Sequence, residues 1–91
     1  MRSEAAFDVE RGWRLNPQVA LRDEAFGALA YHYGNRRLVF LKSRPLVELV
    51  SSLERYPSAS AALVALAPAG QRASYERALA RLAASEVIDA R

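Results

Sequence analysis

Ninety-one residues, 52% apolar and without cysteine, describe one globular domain that buries about 60–65% of its surface in a modest core. That composition excludes a disordered chain, a disulfide framework and a thiolate metal site. The net charge of +3 comes from 12 arginines and one lysine against 10 acids spread along the chain, too dispersed to mark a polyanion binder by itself.

The opening residues, MRSEAAFDVERGW, carry acids and lack the apolar stretch of a secretory signal, so a cytoplasmic location is expected. Residues 1–12 read as a flexible, charged lead-in from which Phe7 and Trp13 can dock back. Residues 14–22, RLNPQVALR, place Leu15, Pro17, Val19 and Leu21 on one side. That is strand spacing, with Pro17 putting the strand's beginning at an edge or bulge. Asp23 and Glu24 read as the turn into the next element.

Residues 26–50 organise the chain. Two apolar runs, 29–33 and 38–41, flank Gly34, Asn35 and two arginines. Gly34 suits the positive φ of a two-residue hairpin turn and Asn35 tolerates the second position. With that turn Tyr33 faces Arg36, Tyr31 faces Leu38 and Leu29 faces Phe40. The opposite face pairs His32 with Arg37, Ala30 with Val39 and Ala28 with Leu41. Both faces are largely apolar, so both need cover. Leu41, Val39 and the alanines suit close helix contact, which leaves Tyr31, Leu38 and Phe40 on the other side.

The apolar period then lengthens. Leu46, Leu49, Val50 and Leu53 recur at i, i+3, i+4 and i+7, the stripe of an amphipathic helix. Ser43 is its predicted N-cap, Pro45 lies in its first turn, and Pro57 ends it near Tyr56. Ser58 or Ser60 caps a second, alanine-rich helix reaching Ala67, which Pro68, Ala69 and Gly70 break. A third helix is predicted over residues 71–85, with Tyr75, Ala78, Leu79, Leu82 and Ala83 inward and Arg72, Glu76, Arg77 and Arg81 outward. Val87 and Ile88 tuck under the domain, and residues 89–91 form a frayed tail. The predicted fold is α+β: a winged-helix-like βββααα order, with a three-stranded antiparallel sheet packed on a three-helix bundle.

Catalytic chemistry is not legible. His32 is the one histidine, no nucleophile or carboxylate motif converges on it, and it reads as an ordinary surface or half-buried residue. One histidine makes a metal site improbable. The glycines show neither dinucleotide-binding nor P-loop spacing. The expectation is a protein without catalysis, metal or cofactor. Two binding readings remain. Winged helices bind DNA, but Glu76 and Glu86 interrupt the arginines of the third helix and no lysine-rich wing accompanies them. Strand addition of a peptide suits a hairpin with an open edge and an apolar second face. Homodimerisation through the same edge stays open.

The segments W-R-L-x-P-x-V-A-L-R, F-G-A-L-x-Y-H-Y-G, R-R-L-x-F-L-K and L-V-E-L-V resemble the small peptide chaperones of mycofactocin biosynthesis. The likeness runs from about Phe7 to Ile88 and is weaker beyond Pro57, where it rests on pattern. That family is similar in fold to the peptide chaperone of pyrroloquinoline quinone biosynthesis, among the elements that recognise leaders of ribosomally made, modified peptides. The resemblance implies a recognition domain over residues 13–88 that binds a precursor leader and delivers it to a radical S-adenosylmethionine maturase. That maturase acts on the precursor's C-terminal Val-Tyr. From the residues themselves, the interrupted arginines lead us to expect no nucleic-acid partner, and the longest apolar run, 61–67, is too short to span a membrane, so no membrane partner is expected either. The resemblance also implies the site: the leader adds beside the third strand, along Arg37, Leu38, Val39, Phe40, Leu41 and Lys42. The facing wall is the third helix at Tyr75, Leu79 and Leu82.

Overall fold

Period-two alternation and helical stripes sort the chain into eight principal elements. The structure, a computed structural model, describes residues 7–91. Five strands are β1 (Trp13–Leu15), β2 (Val19–Glu24), β3 (Gly27–His32), β4 (Leu38–Leu41) and β5 (Ile88–Ala90). Three helices are α1 (Arg44–Ser52), α2 (Ala59–Leu66) and α3 (Arg72–Ala84), with a 3-10 turn at Leu53–Arg55 after α1. Strands β2, β3 and β4 form an antiparallel sheet in that order. The α+β architecture of a three-stranded sheet with three helices is the one expected.

The hairpin register follows the side-chain pattern. Ala28 pairs with Leu41, Leu29 with Phe40, Ala30 with Val39 and Tyr31 with Leu38. A one-residue slip would turn Leu41 and the alanines out of the core, which is why the pattern specifies the register. Ala28, Ala30 and Leu41 are buried while Leu38 and Phe40 are exposed, so the alanine face meets the helices. The small side chains let α1 lie directly on β3. Gly27, at φ 150°, opens β3 where an added Cβ would run into the Leu41 carbonyl, a close approach that only glycine permits.

The hairpin tip differs from the two-residue turn. The left-handed residue is Arg36, at φ 67°, not Gly34. Arg36 N–H donates to the His32 carbonyl at 2.8 Å, and His32 N–H donates to the Arg37 carbonyl at 2.9 Å. Tyr33 N–H donates to Gln18, beside β2, at 2.8 Å and so does not face Arg36. Side chains cause the change. His32 Nδ1 accepts N–H bonds from Gly34 at 3.0 Å and Asn35 at 3.1 Å, and Asn35 Oδ1 accepts the Arg37 N–H at 2.9 Å. These bonds wind residues 33–36 into a wider loop.

The predicted first strand is two strands. Asn16 Oδ1 accepts the Gln18 N–H at 2.7 Å, and the Asn16 N–H donates to Val87 at 2.9 Å. That side-chain turn, with Pro17 inside it, breaks the alternation. β1 then leaves the main sheet and pairs antiparallel with β5, Trp13 to Ala90 and Leu15 to Ile88. Asp89 and Ala90 are therefore strand residues rather than a frayed tail. Asp23 and Glu24 belong to β2, opposite Ala28 and Gly27, and not to a turn.

Within the expected lead-in, residues 1–6 lie outside the described residues and residues 7–12 are docked. Phe7 meets Trp13 with ring centroids 4.9 Å apart, and Trp13 Nε1–H donates to the Asp8 carbonyl at 2.9 Å. The N-terminus of α2 explains the docking. Its first N–H groups have no partner within the helix. Ala59 donates to the Arg11 carbonyl, Ser60 to the Val9 carbonyl and Ala61 to Ser58 Oγ, at 2.9, 2.8 and 3.1 Å. The lead-in thus completes the cap.

Helix limits follow the expected signals. Ser43 Oγ accepts the Leu46 N–H at 3.1 Å to cap α1, and Ser58 caps α2. α3 stops at a left-handed residue, Glu86 at φ 67°. Glu86 N–H donates to Ala83 and Val87 N–H to Leu82, at 3.1 and 2.9 Å, the paired bonds of a Schellman stop. Val87 and Leu82 are both buried, and this stop turns the chain inward to form β5. Leu49, Val50, Leu53, Leu63, Leu79 and Ile88 fill the core.

Candidate functional site

β4 is an edge of the three-stranded sheet. Its outward groups follow from the ladder. His32 N–H donates to the Arg37 carbonyl, so that pair faces inward. In an antiparallel pair the bonded positions recur every second residue. Val39 and Leu41, opposite Ala30 and Ala28, therefore also bond to β3. Leu38 and Phe40 direct their N–H and C=O groups away from the sheet. A strand laid along β4 would find four backbone bonding positions there.

Beside this edge runs a groove to α3. One part, of about 300 Å³, is lined by Val39, Phe40, Leu41, Leu46, Ala78, Arg81, Leu82 and Ser85. It continues past Lys42, Ser43, Gln71, Ser74 and Tyr75 in a second hollow of about 270 Å³ that shares Leu46, Ala78 and Arg81. The floor is apolar and the rim polar. The Tyr75 hydroxyl lies 2.8 Å from Ser43 Oγ, so the α1 cap fixes the ring at the back of the groove. Among the described residues, no ion pair involves Lys42 or Arg81: the pairs join Arg14 to Asp89, Arg22 to Glu24 and Arg44 to Asp23.

The expected site residues fall into distinct positions. Val39, Phe40, Leu41, Lys42, Tyr75 and Leu82 border the groove. Leu38 is an exposed edge residue whose side chain shares the outer face with Phe40, and Arg37 is exposed just ahead of β4. Leu79 is fully buried in the core and does not line the groove. Seven groove residues were not expected at the site: Ser43, Leu46, Gln71, Ser74, Ala78, Arg81 and Ser85. The signal was present in α3 and its two flanking residues, because 71, 74, 75, 78, 82 and 85 follow i, i+3, i+4 and i+7 spacing. Arg81, expected to face solvent, sits on that stripe.

His32 is not the surface or half-buried residue expected. It is 4% exposed, its Nδ1 accepts the two loop N–H bonds, and Nε2 has no partner among the described residues. Its role is to shape the hairpin tip. Among the described residues no group of three or more histidines or acids gathers in a way that would hold a metal ion. No helix is long and apolar enough to cross a membrane.

Comparison with known proteins adds to this geometry. The model of a family described as the Peptide chaperone MftB family matches residues 12–89. A protein named Peptide chaperone MftB from Mycolicibacterium smegmatis is 48% identical over 86 residues, covering 93% of this chain and 84% of that protein. The protein of that name from Mycobacterium ulcerans is 48% identical over 84 residues, covering 91% and 77%. In the one from Mycobacterium tuberculosis the identity is 59% over 51 residues, 56% of this chain and 47% of that protein. No solved structure matches the chain.

Proposed function

The chain belongs to the Peptide chaperone MftB family, and on that premise we propose a non-catalytic peptide chaperone of mycofactocin biosynthesis. It holds the leader of the precursor peptide as an added strand along β4 and presents the peptide to a radical S-adenosylmethionine maturase. The observation that carries this reading is the meeting of the open β4 edge with the apolar groove beneath it.

The division of labour is physical. Four outward backbone groups at about 0.5–1.5 kcal/mol per hydrogen bond contribute about 2–6 kcal/mol. Micromolar binding requires about 8 kcal/mol after the peptide's ordering is counted. The leader's apolar side chains, buried over Leu46, Ala78 and Leu82, supply the difference and the specificity. Arg81 and Lys42 favour leaders with acidic residues at the rim, though an exposed pair contributes only about 0–1 kcal/mol.

Calorimetry with the precursor leader tests the edge. Leu38→Pro removes an outward N–H at the first strand position, where proline is tolerated. It is expected to stay folded by circular dichroism and to bind the leader at least tenfold more weakly. Val39→Pro removes an inward donor and is expected to disturb the sheet. A folded Leu38→Pro protein with wild-type leader affinity would overturn the assignment.

A further inference from the structure

The groove beneath β4 has two chemically different ends. The end beside Val39 and Leu41 is floored by Leu46, Ala78 and Leu82. The other end, past Leu41, is lined by Lys42, Ser43, Gln71, Ser74 and Tyr75, and Arg81 borders both. Among the described residues no acid lines either hollow, and the first turns of α1 and α3 hold none. Two cations therefore stand at the polar end with no carboxylate lining it.

The hydroxyls there have a hydrogen to spare. Ser43 Oγ accepts the Leu46 N–H at 3.1 Å and lies 2.8 Å from the Tyr75 hydroxyl oxygen. One hydrogen joins the two oxygens, whichever of them donates. The second hydrogen of the pair has no acceptor among the described residues. The pair is part-buried, where a donor interacts more strongly with an anion than it does in open water.

Strand geometry selects the leader residue that reaches this end. In a strand added to β4, residues opposite Val39 and Leu41 turn their side chains to the groove, and those opposite Leu38 and Phe40 turn theirs away. Inward side chains recur at every second residue, about 6.7 Å apart. Two of them fall over the apolar end, and the next in line stands beside Lys42 and Ser43.

We propose that the polar end is a carboxylate subsite. It takes one aspartate or glutamate of the leader, at an even spacing of two or four residues from the apolar anchors. This rests on the leader-binding reading above and adds to it a position and a chemistry. The carboxylate oxygens accept the spare hydroxyl hydrogen and an N–H of Lys42 or Arg81. An exposed ion pair alone changes affinity by at most about fivefold. A hydroxyl donor on a charged acceptor raises that to about tenfold. A rim that attracted acids only by long-range charge would favour no spacing.

Calorimetry with the full chain and the precursor leader tests the subsite, with each leader Asp replaced by Asn and each Glu by Gln in turn. One replacement is expected to weaken binding about tenfold and the others less than about twofold. That position is expected two or four residues from the leader residues whose alanine substitution costs most. Combining Lys42→Gln with Arg81→Gln, both exposed, is expected to shrink the penalty of that replacement to less than about twofold. Ser43→Asp keeps a cap on α1 but puts a carboxylate where the leader's would lie. It is expected to bind the native leader at least tenfold more weakly, and the amide-substituted leader no more weakly than the wild-type protein does. A penalty that is absent or spread over several acids, a critical acid at odd spacing, or a penalty undiminished in these variants would overturn the subsite while leader binding stands. Failure of the wild-type protein to bind the leader would overturn the chaperone reading and the subsite together, so the two failures are distinguishable.

Discussion

Replacing His32 by alanine, with asparagine as the comparison, isolates what holds the hairpin tip. Nδ1 of His32 accepts the N–H groups of Gly34 and Asn35 at 3.0 and 3.1 Å. Gly34 is exposed and its N–H rehydrates when the ring is gone, so its bond is worth about 0.5 kcal/mol. Asn35 is half-buried, and its bond contributes about 1 kcal/mol. Removing a ring that is 4% exposed adds about 1 kcal/mol of lost packing. The sum is about 2.5 kcal/mol for His32→Ala. The asparagine side-chain oxygen reaches the position of Nδ1 and can accept the same bonds, so His32→Asn is expected to recover about 1 kcal/mol of that loss. Urea unfolding at neutral pH gives both values, and the alanine variant should melt roughly 10–20 °C lower. Equal destabilisation by alanine and asparagine would refute the view that the two hydrogen bonds hold the tip. Leader binding by the asparagine variant is expected to match wild type, because His32 does not border the groove.

Two further substitutions separate groove from fold. Ala78→Phe puts a ring into the shared part of the groove at a helix-propensity cost of about 0.5 kcal/mol; leader affinity by calorimetry is expected to fall at least tenfold while the protein stays folded. Glu86→Gly relieves a left-handed non-glycine stop and gives up one 3.3 Å contact with Asn35; chemical denaturation is expected to show a gain of about 0.5–1 kcal/mol.

The hairpin was legible because two apolar runs flank Gly34 and Asn35, and a turn centred there gives the observed pairing of Leu41 with Ala28 and Val39 with Ala30. The helix starts were legible because Ser43 and Ser58 carry out local capping chemistry. What stayed hidden depends on distant partners. β1 and β5 are three-residue strands at opposite ends of the chain, too short for periodicity to reveal. The Asn16 turn looked like continued alternation because Pro17 fell on the apolar side. The tip was misread because Gly34 offered the permissive backbone, whereas His32 and Asn35 side chains made the bonds that chose Arg36 for the left-handed position. In the groove, Ala78 and Ser85 are too small to stand out beside Leu79 and Leu82. Arg81 is exposed, as expected, and also stands at the groove rim. The family resemblance puts Leu79 on the wall, yet it is fully buried on the core side of the same helix.

Residue-resolved amide exchange, followed by NMR with and without the precursor leader, tests strand addition at β4 most directly. The Val39 and Leu41 amides bond to β3 and should be protected in the free protein. The Leu38 and Phe40 amides point away from the sheet and should exchange quickly until the leader occupies the edge. At saturating leader both are expected to slow by at least tenfold. Fast exchange at Leu38 and Phe40 in the saturated complex, with new protection elsewhere, would contradict leader binding along β4.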